Sequence, residues 1–240
     1  MSRRMLGKGV AGIALVLALA GCNRHEAPAD DVVAKAEEIA NLSSPEVEPL
    51  APGPYAPRDT CQDVKGASDF RENLATAVEA RDADGLIALA ADDIKLDSAG
   101  ASGADELRKR LNDPSWKLWD ELDALLTLGC SANKQGGITL PWYYTEKSYW
   151  IDPARAMVVT DENVALQEKP SAKSDTIQRV SWQLVEVKGV KPDAEYQEVT
   201  LKDGEHGFLP TDKLRSVLDY HLVASSRNQK WSITSLLAGD

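Results

Sequence analysis

The chain has 240 residues, 43% hydrophobic and 27% charged, with a formal net charge of −11. That composition is ordinary for a globular protein, and the length suits one large domain or two small ones. A surface this acidic, without a basic stripe to offset it, repels phosphate backbones and anionic headgroups, which argues against nucleic-acid binding and against direct electrostatic docking on a membrane.

The first residues read as three regions in order. Arg3, Arg4 and Lys8 supply positive charge, Val10 to Ala20 is an apolar run too short to span a bilayer, and Leu19-Ala20-Gly21-Cys22 is a run of small residues ending in cysteine. This arrangement resembles the lipobox of bacterial lipoproteins. The resemblance implies that residues 1–21 are a signal peptide and that cleavage leaves Cys22 acylated. Each buried methylene is worth about 0.8 kcal/mol, so several acyl chains would hold the protein to a membrane through a lipid anchor. Asn23 follows the cysteine, where aspartate causes inner-membrane retention in enterobacterial sorting. The expected location is therefore the cell envelope, on the outer membrane facing the periplasm. An ordinary signal peptide with a coincidental cysteine, or a short anchor helix, is the alternative.

Residues 22–60 read as a lipidated flexible tether. Pro28, Pro45, Pro49, Pro52, Pro54 and Pro57 punctuate an Ala- and Glu-rich stretch that cannot build a core, with room for one short helix from Asp31 to about Leu42. Cys61 and Cys130 remain as an even pair, which suits a disulfide in an oxidising compartment; two buried free thiols are the competing reading.

Residues 61–153 form the first part of an α+β domain. Asp69 and Glu72 make a capping box before a helical stripe of Phe70, Leu74, Ala77 and Val78. A second helix follows Asp82 with Leu86, Ile87 and Leu89, and Ile94 and Leu96 mark a short strand ended by Ser98-Ala99-Gly100. Ser102 is expected to cap a helix through Leu107 and Leu111, and Pro114 to open another carrying Trp116, Trp119, Leu122, Leu125 and Leu126, closed by Gly129. At helical spacing the two tryptophans read as core rather than as a ligand-stacking pair. Ile138-Thr139-Leu140 precedes the dense aromatic run Trp142-Tyr143-Tyr144 and Tyr149-Trp150. That run either seals a joint between two domains, the preferred reading, or lines a cleft in which Tyr143, Tyr149 and Trp150 are the candidate ligand-binding residues.

Residues 154–216 change to short β runs: Met157-Val158-Val159, Asn163-Val164-Ala165-Leu166, Trp182 to Val187, Tyr196 to Val199 and Asp203 to Leu209. Their order over residues 157–215 resembles the bacterial SH3 domain, whose pattern opens on V-x-L-R-x-x-P-S and includes a D-G-x-x-G-Y-V hairpin. Here Gln167 stands at the arginine, Tyr196 at a usual tryptophan, and Val190-Lys191-Pro192-Asp193 extends a loop. The resemblance implies a small SH3-like β-barrel with Trp182, Tyr196 and Phe208 mainly in its core. It also implies a binding module of the kind that holds peptidoglycan peptides or other proteins.

Residues 217–240 read as a hairpin, with Tyr220, Leu222 and Ala224 on one strand, Trp231, Ile233 and Ser235 on the other, and Arg227-Asn228-Gln229-Lys230 between them. With the early helices and the Ile94 strand it resembles the two ends of a nuclear-transport-factor-2-like α+β domain. The barrel is then inserted in, or appended to, a helix-plus-antiparallel-sheet domain closed by this hairpin.

Catalytic, metal and cofactor motifs are not found. His25, His206 and His221 read as isolated surface residues, no paired-His or Cys-cluster spacing suggests zinc, and neither a GxSxG elbow nor a phosphate-cradling loop occurs. Asp92-Asp93 and Asp120/Asp123 are best explained as solvated helix ends. The expected function is a non-enzymatic binding or adaptor module for peptidoglycan or an envelope protein. The alternative is a small-molecule-binding or enzymatic pocket in the α+β domain, which converging polar groups around a perturbed carboxylate would favour.

Overall fold

Helix α1 (Ala67–Glu79) begins two residues before Asp69, so Asp69 and Glu72 do not form the expected capping box. Gly66 turns the chain at φ 77 and its carbonyl accepts from Phe70 N–H at 3.2 Å, which leaves Asp69 in the first turn where its charge suits the helix dipole. Helix α2 (Ala83–Ala88) is capped by the Asp82 carboxylate, which accepts from Gly85 N–H at 3.0 Å. Helix α3 (Ala104–Asn112) starts after Gly103, and Ser102 is no cap because its backbone bridges to Lys95. Pro114–Trp116 makes only a 3-10 turn; Lys117 then takes a left-handed conformation at φ 48 and α4 (Leu118–Thr127) restarts in a new phase. Trp116 is therefore 38% exposed instead of joining the core stripe, and the Arg110 guanidinium lies 4.3 Å from its ring centroid.

These helices cover a five-stranded sheet. Its order is β1 (Ala90–Lys95), β12 (Lys230–Leu237), β11 (His221–Arg227), β3 (Ile138–Leu140) and β2 (Ser131–Ala132), strands being numbered along the chain. Strand β1 runs parallel to β12, and the other neighbours are antiparallel. The hairpin turn places Asn228 at φ 53 and Gln229 at φ 64, the left-handed pair that matches strand twist. The register moves from Ala224↔Ile233 to Val223↔Ser235, so Thr234 is an extra residue, and beyond it Leu236 rather than Ser235 joins the core under the helices, with Leu237 also buried. His221 is no surface residue: it opens β11, is 3% exposed and stacks on Tyr144 at 3.7 Å. Phe70, Leu74, Val78, Leu107, Leu122 and Leu125 pack onto Ile138, Leu140, Leu222, Ile233 and Leu236. Cys61 and Cys130 are joined within this core, both fully buried, with their Cα atoms 5.8 Å apart.

The second sheet is antiparallel throughout. It runs β10 (Leu214–Ser216), β4 (Ala156–Val159), β7 (Leu184–Val187), β8 (Tyr196–Thr200), β9 (His206–Pro210), β5 (Val164–Gln167) and β6 (Thr176–Val180). Val159 and Val185 from one side meet Val164, Leu166 and Val180 from the other in a shared core with Val187, Val199 and Leu209. The sheet therefore curls on itself, but β6 and β10 remain edges and no ladder between described strands closes a barrel. Trp182, Tyr196 and Phe208 lie outside this core. Period-two alternation turns Val199 and Leu209 inward and leaves Tyr196 and Phe208 half-buried on the outer face, while Trp182, at φ 46, packs elsewhere. Gly207 sits where β5 crosses, and a Cβ there would fall 2.7 Å from Leu166 Cγ.

The structure is a computed structural model describing residues 53–146 and 149–239. The expected signal segment, Cys22 and residues 23–52 of the expected tether lie outside the described residues; the described residues all belong to one compact unit. Residues 53–60, assigned to the tether on composition, are instead a strap laid across the fold. Tyr55 N–H donates to Trp182 O at 2.8 Å, Cys130 N–H to Arg58 O at 2.7 Å, and Thr60 N–H to Cys130 O at 3.0 Å. Among the described residues no helix is long and apolar enough to cross a membrane.

Candidate functional site

The aromatic run after β3 lies where the two sheets meet. Leu128 from the end of α4 and Trp142 and Tyr143 from a 3-10 turn form one buried cluster with Ala156, Val158, Leu184 and Val217. Tyr55 of the strap, Tyr149 and Trp182 pack around it. Tyr55 is 6.3 Å from Trp142 and 5.9 Å from Tyr143 between ring centroids, and the Arg58 guanidinium lies 4.3 Å over the Trp142 ring. The cluster joins the sheets through apolar and ring contacts, each worth about 0.5–1.5 kcal/mol beyond simple burial where aromatic rings pair.

The three candidate ligand-binding residues do not share an accessible surface. Tyr143 is 1% exposed, and burial raises its phenol far above the ordinary range. Tyr149 is half-buried against the joint, its phenol pushed up to about 12 by burial, with Tyr55, Tyr144 and Glu146 adding to the shift. Only Trp150, at 41% exposure, offers its ring to solvent. Sequence alone could not separate them, because three neighbouring aromatics carry no periodicity that assigns a side.

A second concavity, not foreseen, lies between α4 and β10. This cavity of about 310 Å3 is lined by Glu121, Thr127, Thr160, Asp212, Arg215 and Asp219. Arg215 is nearly buried; it donates to Glu121 at 2.8 Å and to Tyr220 O at 3.0 Å. Burial raises the Asp219 carboxyl above its ordinary range; Arg215 opposes the shift and Glu121 adds to it. The Tyr143 hydroxyl, buried nearby in the Arg215 field, makes no hydrogen bond of normal geometry. The hydroxyls lining the recess are committed to backbone: Thr127 donates to Ala124 O at 2.8 Å and Thr160 to Lys213 O at 3.5 Å. The recess thus reads as a polar strut across the joint, built on a partly buried ion pair. The signal for it was absent because Arg215 and Glu121 stand 94 residues apart.

The outer face of the curled sheet is the third surface. Phe208 pairs across to Glu198 and Gln167, and Tyr196 to Pro210, on the side away from the core. One grouping of metal-ligand types occurs among the described residues, Asp59 with Cys61 and Cys130, and both sulfurs are spent in the disulfide. No protein-family model matches the chain, and no curated protein matches it.

Proposed function

We propose that the protein is a lipid-anchored envelope protein whose second sheet is an SH3-like module, and that it acts without catalysis, by holding peptidoglycan or another envelope protein. The observation that carries the reading is the outward placement of Tyr196 and Phe208 on a sheet whose core is complete without them. Half-buried aromatics on a rigid strand face are low-entropy anchors for a partner. The disulfide supports an oxidising compartment, and the strap fastens the segment leading from Cys22 to both sheets.

The test is co-sedimentation of full-length protein in detergent with purified sacculi, alongside cross-linking in intact envelopes. Phe208→Ser with Tyr196→Ser should lower retention or capture about tenfold, equivalent to roughly 1.4 kcal/mol, while the unfolding midpoint holds. Neither retention on sacculi nor a cross-linked partner would overturn the reading. The alternative of a small-molecule or enzymatic pocket draws on the Asp219 recess, but the engaged Arg215 and hydroxyls leave little there to act on a substrate.

A further inference from the structure

A larger concavity lies apart from all the surfaces above, at the open end of the first sheet. It measures about 490 Å3 and is lined by the turn before α1 (Val64, Lys65, Gly66), the β2–β3 turn (Gln135, Gly136) and the hairpin tip (Ser226, Gln229, Trp231). That volume falls within the ordinary range for small-molecule sites, roughly 300–1,000 Å3.

Trp231 forms its apolar wall, and the ring is fixed in advance. It stacks on Phe70 with centroids 5.6 Å apart, and its Nε1–H donates to Lys65 O at 3.1 Å. Gly66 leaves the space the indole needs, since a Cβ there would sit 3.0 Å from Trp231 Nε1. Around this wall stand the side chains of Lys65, Gln135, Ser226 and Gln229, none of which hydrogen-bonds to another described residue. Two amides and a hydroxyl offer both donors and acceptors, the chemistry that hydroxyl and N-acyl groups require. Lys65 is the one ionisable residue lining the cavity. The one formal charge facing the cavity is therefore positive, which complements a negatively charged group on the ligand.

We infer that this cavity binds an acidic N-acylated amino sugar. The indole covers an apolar sugar face, the amides and Ser226 take the hydroxyl and acyl groups, and Lys65 takes the carboxylate. Such a group occurs where a peptidoglycan strand has lost its stem peptide and in soluble fragments of such a strand, so the two sources are tested separately. The inference does not depend on the Phe208 face.

Full-length protein is titrated with N-acetylmuramic acid and with N-acetylglucosamine, its neutral counterpart, following tryptophan fluorescence and heat. N-acetylmuramic acid should bind about tenfold tighter than N-acetylglucosamine. Lys65→Gln should weaken it about fivefold, the worth of one charge-assisted contact of about 1 kcal/mol, and Gln229→Ala should weaken both sugars. Phe208→Ser should leave the titration unchanged even if it abolishes retention on sacculi, which separates this site from the proposed module. Retention on sacculi stripped of their stem peptides that falls with Lys65→Gln assigns the strand as the source; N-acetylmuramic acid binding without such a fall assigns the soluble form. No binding of N-acetylmuramic acid, or binding indifferent to Lys65→Gln and Gln229→Ala in variants with unchanged unfolding midpoints, would overturn the inference.

Discussion

Deleting residues 217–240 should unfold the helical half of the protein, although that half is encoded by residues 61–145. Strands β11 and β12 are interior members of the five-stranded sheet, and without them β1 has no partner and β2–β3 is a bare two-stranded ribbon. Such a ribbon is marginal in water. The deletion also removes Leu222, Ile233, Leu236 and Leu237 from burial, none more than 6% exposed. At roughly 1.5–3 kcal/mol for each large apolar side chain, the loss is about 6–12 kcal/mol, comparable with the whole stability of an ordinary domain. Amide hydrogen exchange on the truncated protein should show α1 and α4 unprotected. Leu222→Ala gives a graded version, because Leu222 is fully buried between Leu140 and Leu236, and should cost about 3–5 kcal/mol in urea unfolding. Native protection of α1 in the truncated chain, or a Leu222→Ala cost below about 1 kcal/mol, would refute the discontinuous sheet.

Three further outcomes are expected. Reducing the Cys61–Cys130 bond, which spans a separation of 69 residues, should lower stability by about 4 kcal/mol, read as the difference between urea titrations with and without reductant. Gly129→Ala should destabilise by more than the roughly 1–2 kcal/mol of a left-handed backbone alone, because φ is 78 and the new Cβ would lie 2.2 Å from Arg58 O; thermal unfolding checks it. Asp219, raised by burial, contributes stability that is full below the ordinary carboxylate range and lost as pH rises through its folded value; Asp97, lowered chiefly by the Arg110 hydrogen bond, contributes stability that is lost as pH falls through its folded value. Asp219→Asn should therefore raise the neutral-pH midpoint and Asp97→Asn lower it, in melts taken across acid and neutral pH.

Where a signal was local, the sequence carried it. Asp82 caps the helix it precedes, Ile94 falls in a strand, and Asn228-Gln229 turn the final hairpin, each through chemistry within a few residues. Where a distant segment decided the outcome, the local pattern misled. Ser102 is used by the β1 bridge rather than by the following helix, Lys117 breaks the phase that would have buried Trp116, and Thr234 bulges and inverts the alternation after Ile233. The strap was hidden by its prolines, since nothing in residues 53–60 announces Trp182 and Cys130 as their hydrogen-bond partners. At the joint, aromatic density flagged the region, but the burial of Tyr143 and the converging Glu121, Arg215 and Asp219 follow from contacts that only the folded chain assembles.

The position of the disulfide gives the molecule a defined load path. Tension arriving along the chain from the side of Cys22 reaches the strap and then Cys61, where the covalent bridge hands it directly to Cys130. Residues 62–129, which hold the four α-helices of the described residues, hang as a closed loop outside that path and are not stretched. The pull continues through β3 and the aromatic joint into the second sheet, the half proposed to hold the partner. An intact bridge therefore acts as a mechanical shunt, and reduction would place the helices in series with whatever the protein is holding.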